Sequence, residues 1–513
     1  MYGLDDRPPF GQATVLGLQH VLTMFGSTVA VPLIFGPKLW PVIDGLPTEV
    51  AEQLRDLQLT NTALLISSVM LCSGVATFLQ STFGSRLPII QGVSFSFLAA
   101  FFGIVASTQA VGAPDWASVI AGATDAATVD PLIQHWQEAG AFGMRTIAGA
   151  ILVGGIAEAV IGFTGLMGRI RRYLSPVVIG PVIMLIGLAL YQVGAPVAAS
   201  NWYISITTMA LIILFALVLS RSIRLFKLFP MLLAITGSVG VCVVLGVAGV
   251  FQPGEPAHVD VSAVGRSDWV RVKSLILPWG LPSLSLGAVV AVLAGYLASM
   301  IESFGDYHAC KEMAGGGDPT SKEISRGIGF EGVGCSLTGL LGGFSSTSYS
   351  ENIALIGLTK VGSRYVVQIG AVILLLLGLF GKFGALAAAI PQPVVGGLYC
   401  ALFGLIAAVG VRQFAKADLS SDRNLFIGGF ALFMGLSLPY YFQNGGSAAV
   451  NASMPEGVAG VIIAVCTTGM AVAAIIGITL DNLIPGTPEE RGLKIPGPIV
   501  SKAANVGAGE HST

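Results

Sequence analysis

Charged residues are scarce in this sequence. Only 11% of the 513 residues are charged and 54% are hydrophobic, whereas an ordinary soluble domain carries roughly a quarter charged residues. Apolar runs long enough to cross a bilayer recur along the chain, and a soluble core cannot absorb that much apolar sequence. The scarcity of charge therefore argues against a string of soluble domains and predicts one polytopic membrane domain.

Motifs for catalysis and for binding metals are also missing. The sequence has no GxSxG, no HExxH, no P-loop and no GxGxxG after a predicted strand, so neither a recognisable hydrolase nor an ATP-driven pump is supported. Its six cysteines lack CxxC spacing, and we expect neither a metal site nor disulfides. The net charge of -2 indicates no nucleic-acid partner. We predict a protein that is not an enzyme and needs no cofactor, which leaves secondary transport.

Fourteen apolar segments remain when the chain is divided at its polar loops, and they predict an all-α protein in the lipid bilayer. Their approximate bounds are 14–35, 61–80, 88–107, 144–167, 175–193, 203–220, 229–250, 283–304, 326–343, 350–361, 365–390, 392–411, 423–441 and 456–478. The first residues lack the pattern of a cleaved signal peptide, so we expect the first segment to act as the insertion signal.

Lysine and arginine are concentrated in alternate loops, for example at Arg169, Arg171 and Arg172 and at Arg221 to Lys227. Cytoplasmic loops carry such an excess of basic residues. The bias therefore predicts an even number of crossings with both termini in the cytoplasm. We expect a multi-pass protein of the plasma (inner) membrane.

An internal echo suggests that the fourteen segments form two sets of seven. Ser94-Phe95-Ser96 in the third segment has a counterpart in Ser348-Tyr349-Ser350 at the tenth. Both stretches mix serine, aromatic and β-branched residues, which suit a short extended stretch before a half-helix. Discontinuous membrane helices usually mark a binding site. The pattern predicts a 7+7 inverted repeat with β-like stretches and half-helices at segments 3 and 10, although a short echo also arises by chance.

Ionisable side chains within membrane segments are energetically costly and are functional candidates by default. Those in the apolar segments are His20, Glu158, Glu302, Asp306, Glu331, Glu351 and, near a segment end, Lys382. Glu158 and Glu331 have no partner nearby in sequence, and we interpret them as packing or gating residues. His20 is either a satisfied structural donor or a proton carrier.

Glu302 and Asp306 are four residues apart, so they share one face of the eighth segment. Two carboxylates on one face repel in a low dielectric, which favours a proton on one of them and suits proton coupling. The alternative is that the helix ends near Glu302 and that both acids contact water.

Glu351 is expected at the N-terminal end of a half-helix, where unpaired backbone N–H groups favour a negative charge. It serves there either as a ligand-binding carboxylate or only as a helix cap. The neighbouring Asn352 either orients the carboxylate or holds the helix end.

Two carboxylates beside backbone N–H donors match a flat ligand that presents both N–H and C=O edges, as nucleobases do. Phe95 and Tyr349 would supply aromatic walls, and Ser94 and Ser350 flank them in the predicted substrate-binding set.

The tenth segment carries a signature that is similar to that of the nucleobase-ascorbate transporters, also called the nucleobase/cation symporter 2 family, which includes bacterial uracil and xanthine permeases. That signature is Gln, Glu or Pro, then Asn, any residue, Gly, four residues, Thr and a basic or small residue. Residues Glu351 to Lys360 read ENIALIGLTK and depart from it only at Ala354. Further resemblances are Gln19-His20, Ser94-Phe95 and Glu302 to Asp306.

The resemblance implies a core domain of segments 1–4 and 8–11 that carries the substrate by elevator-like movement against a gate domain of segments 5–7 and 12–14. The corresponding residues are 14–167 and 283–390 for the core domain, and 175–250 and 392–478 for the gate domain. A homodimer is implied as well. By position, Glu302, Glu351 and Phe95 would bind the base, and His20 with Asp306 and Glu302 would form the proton network. Gln19, Asn352 and Thr359 would support the site.

The same resemblance leaves the substrate open. At position 351 this chain has Glu, in which it resembles uracil permeases of the family. At position 306 it has Asp, in which it resembles the purine carriers. We therefore expect a proton-coupled uracil importer, with a xanthine or uric acid symporter as the alternative and sodium as a possible coupling ion. Ascorbate carriers of the family have Pro where this chain has Glu351. An anion transporter or channel of the same architecture is the alternative from another class.

Overall fold

The computed structural model describes residues 2–43, 45–112, 126–170, 173–271 and 275–493. Arg171 and Arg172, which contribute to the predicted orientation, lie outside these ranges. The protein is 75% helical, and the described part of the chain contains one two-stranded sheet. The prediction of an all-α membrane protein is confirmed.

Each of the fourteen predicted segments contains at least one helix. The main helices are α1 (Phe10–Leu39), α2 (Thr48–Thr82), α3 (Leu98–Gly112), α4 (Ala126–Phe163), α5 (Pro176–Leu188), α6 (Tyr191–Ala198), α7 (Trp202–Ile213), α8 (Pro230–Val247), α9 (Leu286–Met313), α10 (Ser321–Leu340), α11 (Ser350–Thr359), α12 (Arg364–Leu379), α13 (Gly381–Ala388), α14 (Gln392–Phe414), α15 (Asp422–Tyr441), α16 (Ser447–Ser453), α17 (Glu456–Cys466) and α18 (Gly469–Leu483). Nine helical stretches in the described ranges are long and apolar enough to cross a membrane.

Two predicted segments each contain a pair of helices that is separated at an extended residue. Segment 365–390 contains α12 and α13, which meet at Phe380, and segment 456–478 contains α17 and α18, which meet near Thr468. Phe380 and Thr468 both have extended backbone angles, and each is followed by a glycine. Glycine is a poor helix former, and the local sequence therefore tolerates the break.

A short strand precedes a helix once in each half of the chain. β1 (Gln91–Val93) leads through a 3-10 turn at Phe95–Phe97 into α3, and β2 (Ser346–Ser348) leads directly into α11. The strands pair antiparallel, with Gln91 opposite Ser348 and Val93 opposite Ser346. Because the strands are antiparallel, the two half-helices begin at one sheet and run away from it in opposite directions.

Small residues bring α4 and α10 into very close contact. A Cβ atom on Gly162 would lie 2.1 Å from the backbone nitrogen of Gly329, and one on Gly332 would lie 2.3 Å from that of Ala159. Membrane helices use small residues in this way because lipid supplies no hydrophobic force between helices. The contact also brings Glu158 of α4 within electrostatic range of Glu331 of α10, since Glu158 is adjacent to Ala159 and Glu331 is adjacent to Gly332.

Two groups of helices can be distinguished by their packing. In the first, α1, α2, α12 and α13 pack together, and the pair of α4 and α10 packs beside them through α2. α5 packs against α14 and α18, and α15 packs against α18. α9 contacts the 3-10 turn, β2 and α11, so it carries its side chains to the strand pair.

Candidate functional site

The strand pair is fixed by Tyr349, the residue between β2 and α11. Its hydroxyl donates to the Val93 carbonyl at 2.8 Å, and Thr28 of α1 donates to that hydroxyl at 3.3 Å. Its backbone N–H donates to the Ile90 carbonyl. The ring lies directly over Gly92, where no side chain intervenes. Tyr349, predicted as an aromatic wall for the ligand, is buried, with its hydroxyl occupied by the backbone of the opposite strand.

Glu351 lies in the first turn of α11, where backbone N–H groups have no partner within the helix. Glu351 and Ser350 are both exposed, whereas Asn352 is completely buried. The Ser27 hydroxyl on α1 donates to Glu351 Oε1 at 3.4 Å. The carboxylate therefore faces an accessible space inside the membrane domain, at the positive end of the half-helix.

Glu302 and Asp306 share one face of α9, yet their surroundings differ. α9 continues to Met313, so the helix does not end near Glu302. Asp306 is buried and accepts hydrogen bonds from Ser348 at 3.0 Å and from Ser350 at 2.7 Å. Glu302 is half-buried and lies within electrostatic range of both Asp306 and Glu351. Asp306 thus joins α9 to the start of α11, whereas Glu302 faces the accessible space.

Glu331 of α10 is the centre of a buried network that the sequence did not reveal. Its carboxylate accepts from Ser303 at 2.7 Å, from Ser299 at 3.2 Å and from Tyr307 at 2.7 Å. Gln80 of α2 in turn donates to the Tyr307 hydroxyl at 2.6 Å. The only signal in the sequence is that Ser299, Ser303 and Tyr307 are spaced by four residues on one face of a membrane helix.

A continuous chain of contacts joins Asp306 to Glu331 through two serines. Ser348 contacts Asp306 at 3.0 Å, Ser303 contacts Ser348 at 2.8 Å, and Ser303 contacts Glu331 at 2.7 Å. These three contacts share only two hydroxyl hydrogens, because each serine carries one. With Ser348 donating to Asp306 and Ser303 donating to Glu331, no hydrogen is left for the contact between the two serines. A hydrogen in that contact requires that one of the two acids be protonated and donate to its serine instead.

Asn352 fastens α11 to α1 through His20. Its side-chain nitrogen donates to the His20 carbonyl at 2.9 Å and lies 3.1 Å from His20 Nδ1. With the amide nitrogen donating to both atoms, Nδ1 is an acceptor and the ring proton is on Nε2. His20 in this arrangement is a neutral, buried partner of Asn352.

Phe95 and Ser94 lie where β1 turns into the 3-10 turn. Ser94 is buried, and its hydroxyl accepts from the Ser96 backbone N–H at 3.2 Å, so it caps the turn. Phe95 is half-buried and meets Phe403 of α14 edge to face, with 6.5 Å between the ring centroids. The Phe95 ring therefore lies where the half-helix region meets the helices around α14.

The predicted supporting residues are more dispersed. Gln19 is half-buried on α1, and its carbonyl accepts from Thr23. The Thr359 hydroxyl donates to the Leu355 carbonyl within α11, at the end of the helix distant from Glu351. Four of the predicted site residues lie together beside the turn that carries Phe95: Glu302, Asp306, Ser350 and Glu351. The hydroxyl groups of Ser94, Tyr349 and Thr359 are instead hydrogen-bonded to backbone groups.

This arrangement suits a flat, uncharged ligand with both donors and acceptors at its edge. Glu302 and Glu351 supply hydrogen-bond acceptors. Backbone N–H donors are available at the start of the 3-10 turn and in the first turn of α11. Phe95 supplies the face of an aromatic ring. An anion would meet two carboxylates there.

Known proteins resemble the chain over nearly its whole length. Residues 11–444 match the sequence model of a family described as the Permease family. Solute carrier family 23 member 1 of Rattus norvegicus is 38% identical over 96% of this chain and 82% of its own length. Solute carrier family 23 member 2 of Homo sapiens is 37% identical over 96% of this chain and 76% of its own length. Nucleobase-ascorbate transporter 12 of Arabidopsis thaliana is 32% identical over 96% of this chain and 71% of its own length.

Two solved structures share the fold. The transmembrane domain of the cyanobacterium bicarbonate transporter BicA aligns with a TM-score of 0.51 at 13% identity, over 94% of this chain and 99% of that chain. The structure of SLC26A9 aligns with a TM-score of 0.53 at 12% identity, over 93% of this chain and 66% of that chain. Their transmembrane domains are 7+7 inverted repeats, which confirms the predicted architecture. Identities this low indicate a shared fold alone.

Proposed function

The chain belongs to the nucleobase-ascorbate transporter family, and we propose that it imports a nucleobase, with uracil as the preferred substrate, by proton symport. As a family member it is a multi-pass nucleobase/ascorbate permease and not an enzyme. The observation that carries the proposal is the pair Glu302 and Glu351, two accessible carboxylates beside the first turn of a half-helix.

Recognition of the base follows from hydrogen-bond complementarity. A pyrimidine edge carries N–H groups next to carbonyl groups, so a carboxylate accepts from the ring nitrogen while a backbone N–H donates to the adjacent oxygen. Glu351 and the first turn of α11 offer this pair within one site. Phe95 covers a ring face, and its contact with Phe403 sets the depth of the site.

Uracil is favoured over purines by the carboxylate at position 351, which is an acceptor only and cannot donate as a glutamine does. The purine alternative rests on Asp306. That residue is buried and bonded to Ser348 and Ser350, so its influence on the base is indirect. We therefore give Glu351 the larger share in substrate choice.

Proton coupling is supported by the contacts from Asp306 to Glu331. A hydrogen between the two serine hydroxyls requires a proton on Asp306 or Glu331, and we assign the coupled proton to these two acids. Glu302 lies within electrostatic range of both Asp306 and Glu331. Gain or loss of a proton by Glu302 therefore changes the electrostatic energy of a proton on either of these acids. His20 takes part through Asn352, as a neutral support for α11.

Alternating access is proposed to occur by movement of a core domain (14–167 and 283–390) against a gate domain (175–250 and 392–478). Support comes from the helix packing, since α1, α2 and α12 pack together while α5, α14 and α18 form a separate set. Phe95 and Phe403 meet between the two sets. A homodimer and cytoplasmic termini in the plasma membrane complete the proposal.

The alternative of an anion transporter has the same architecture. The shared fold with BicA is the reason to consider it. Glu302 and Glu351 argue against it, because an anion at the half-helix would meet both carboxylates without a facing lysine or arginine in the proposed site.

Substrate choice is tested by competition on purified protein in proteoliposomes, with labelled uracil displaced by thymine, xanthine, uric acid, guanine or ascorbate. Uracil is expected to compete best. The variant Glu351→Gln should lose uracil binding or shift preference toward purines. Glu312→Gln, which makes the same replacement at an exposed carboxylate near the C-terminal end of α9, is the control. Unchanged uracil binding in Glu351→Gln would remove that residue from the site.

Coupling is tested separately, by imposing a proton gradient or a sodium gradient at constant voltage. Proton symport predicts that an inward proton gradient accelerates uptake and that sodium does not. Uptake that responds to sodium alone, or to neither ion, would contradict the proposal.

A further inference from the structure

A basic pocket lies where the connection between α7 and α8 meets the C-terminal part of α11. Its volume is about 320 Å³, and its lining includes Arg221, Ser222, Arg224 and Lys227 from the connection and Leu358 from α11. No acidic residue is among its lining residues. The pocket is thus a concentration of positive charge on a wall shared by two groups of helices.

The three cations of the pocket are available to a ligand. Arg221, Arg224 and Lys227 are all exposed. Among the residues that the structure describes, no carboxylate lies within ion-pair distance of any of them. By contrast, Arg423 and Arg491 on the C-terminal side of the chain both pair with the buried Asp481. Guanidinium groups bind phosphate oxygens in a bidentate manner, so this pocket has the chemistry of a phosphate site.

Apolar side chains alternate with these cations. Ile223 and Leu225 are 45% and 51% exposed, beside Arg224. The preceding helical stretch exposes Leu217 and Val218 as well. A segment with exposed apolar residues and basic residues side by side lies at the level of lipid headgroups, with the apolar groups in the acyl region.

The position of the pocket identifies the membrane face. Leu358 is near the C-terminal end of α11, and Lys360, which follows that helix, accepts a backbone hydrogen bond from Tyr2. The pocket therefore opens on the same side as the N-terminal segment, which the distribution of Lys and Arg predicts to be cytoplasmic. Anionic lipids are concentrated in the cytoplasmic leaflet.

We propose that the basic pocket binds the phosphodiester headgroup of an anionic phospholipid, with Arg221, Arg224 and Lys227 around the phosphate and the acyl chains along Ile223 and Leu225. Because Leu358 belongs to the half-helix that carries Glu351, a bound lipid contacts that helix as well as the connection between α7 and α8. The site is independent of the transported substrate, so its test stands apart from that of the proposed function.

The experiment uses the full chain in nanodiscs of phosphatidylcholine with or without phosphatidylglycerol, followed by native mass spectrometry of retained lipid and by thermal unfolding. The variant R221Q/R224Q/K227Q is compared with R169Q/K322Q/R412Q, which removes three exposed cations elsewhere on the predicted cytoplasmic side. A cation in contact with an anionic headgroup contributes roughly fivefold to affinity, so loss of the three pocket cations should weaken binding of the pocket lipid on the order of 100-fold. The control variant removes no cation that lines the pocket and should keep that lipid.

Selective retention of phosphatidylglycerol by the native chain and the control variant, with loss in the pocket variant, supports the proposal. Equal retention in both variants overturns it. In phosphatidylcholine nanodiscs, added inorganic phosphate is expected to have no effect, and protection by phosphate equal to that by phosphatidylglycerol would show a free-anion site instead. The charge-preserving variant R221K/R224K should retain the lipid more weakly than the native chain but more strongly than the pocket variant, because lysine keeps the charge without the bidentate geometry. Retention as weak as that of the pocket variant would contradict a contribution from charge.

Discussion

Replacement of Gly92 by alanine tests whether the strand pair positions the half-helix that carries Glu351. A Cβ atom at position 92 would lie 2.5 Å from Cζ of Tyr349 and 2.8 Å and 2.9 Å from its two Cε atoms. Contacts this short require a displacement. The ring cannot easily retreat, because its hydroxyl is bonded to the Val93 carbonyl at 2.8 Å and to Thr28 at 3.3 Å.

The expected cost follows from this geometry. Overpacking of a close-packed interior by one methyl group lowers the free energy of unfolding by about 1–3 kcal/mol. Any movement of Tyr349 also shifts Ser350 and Glu351, which follow it directly. Hydrogen bonds between the base and Glu351 weaken when the carboxylate is displaced from its alignment. Gly92→Ala should therefore lower both the melting temperature and the affinity for the base.

Gly103→Ala is the matched control, because a Cβ atom at that position of α3 has no neighbour within 4 Å. Alanine there should be neutral or slightly stabilising, since it is the better helix former. Tyr349→Leu removes the clashing ring atoms, so Gly92→Ala/Tyr349→Leu should be less destabilised than the sum of the single variants. The measurements are thermal unfolding and equilibrium binding in detergent. If Gly92→Ala matched Gly103→Ala in both, the strand pair would not hold the site as argued.

Three further substitutions test other parts of the structure. Glu331→Gln supplies a permanent hydrogen to the contact with Ser303, so base binding should persist while the response of uptake to a proton gradient is lost; a response equal to that of the native chain would exclude Glu331 from coupling. Asp481→Asn leaves Arg423 without its buried ionic partner, and this should lower the free energy of unfolding by about 3–5 kcal/mol. The affinity for the base should not change. Thermal unfolding and equilibrium binding measure the two effects. Lys360→Gly relieves a left-handed residue at the end of α11, with φ of 60°, and should raise stability by roughly 1 kcal/mol; an unchanged or lower melting temperature would contradict it.

Local sequence determined the elements and the fold class. Apolar length placed a helix in every predicted segment, because the bilayer requires the backbone to satisfy its own hydrogen bonds. Serine, aromatic and β-branched residues before Leu98 and around Tyr349 predicted extended stretches at both half-helices. The carboxylate of Glu351 at the start of α11 was also readable, since it depends only on where the helix begins.

Tertiary packing alone decided which of these groups face the site. Glu302 and Asp306 are equivalent by helical spacing, yet Asp306 is buried, because Ser348 of β2 and Ser350 of α11 pack against it from a more distant part of the sequence. Glu331 has no partner near it in sequence and acquires three from α9. Spacing fixes where a side chain points around its own helix. It cannot specify which element packs against that face, because this depends on contacts between residues far apart in the chain.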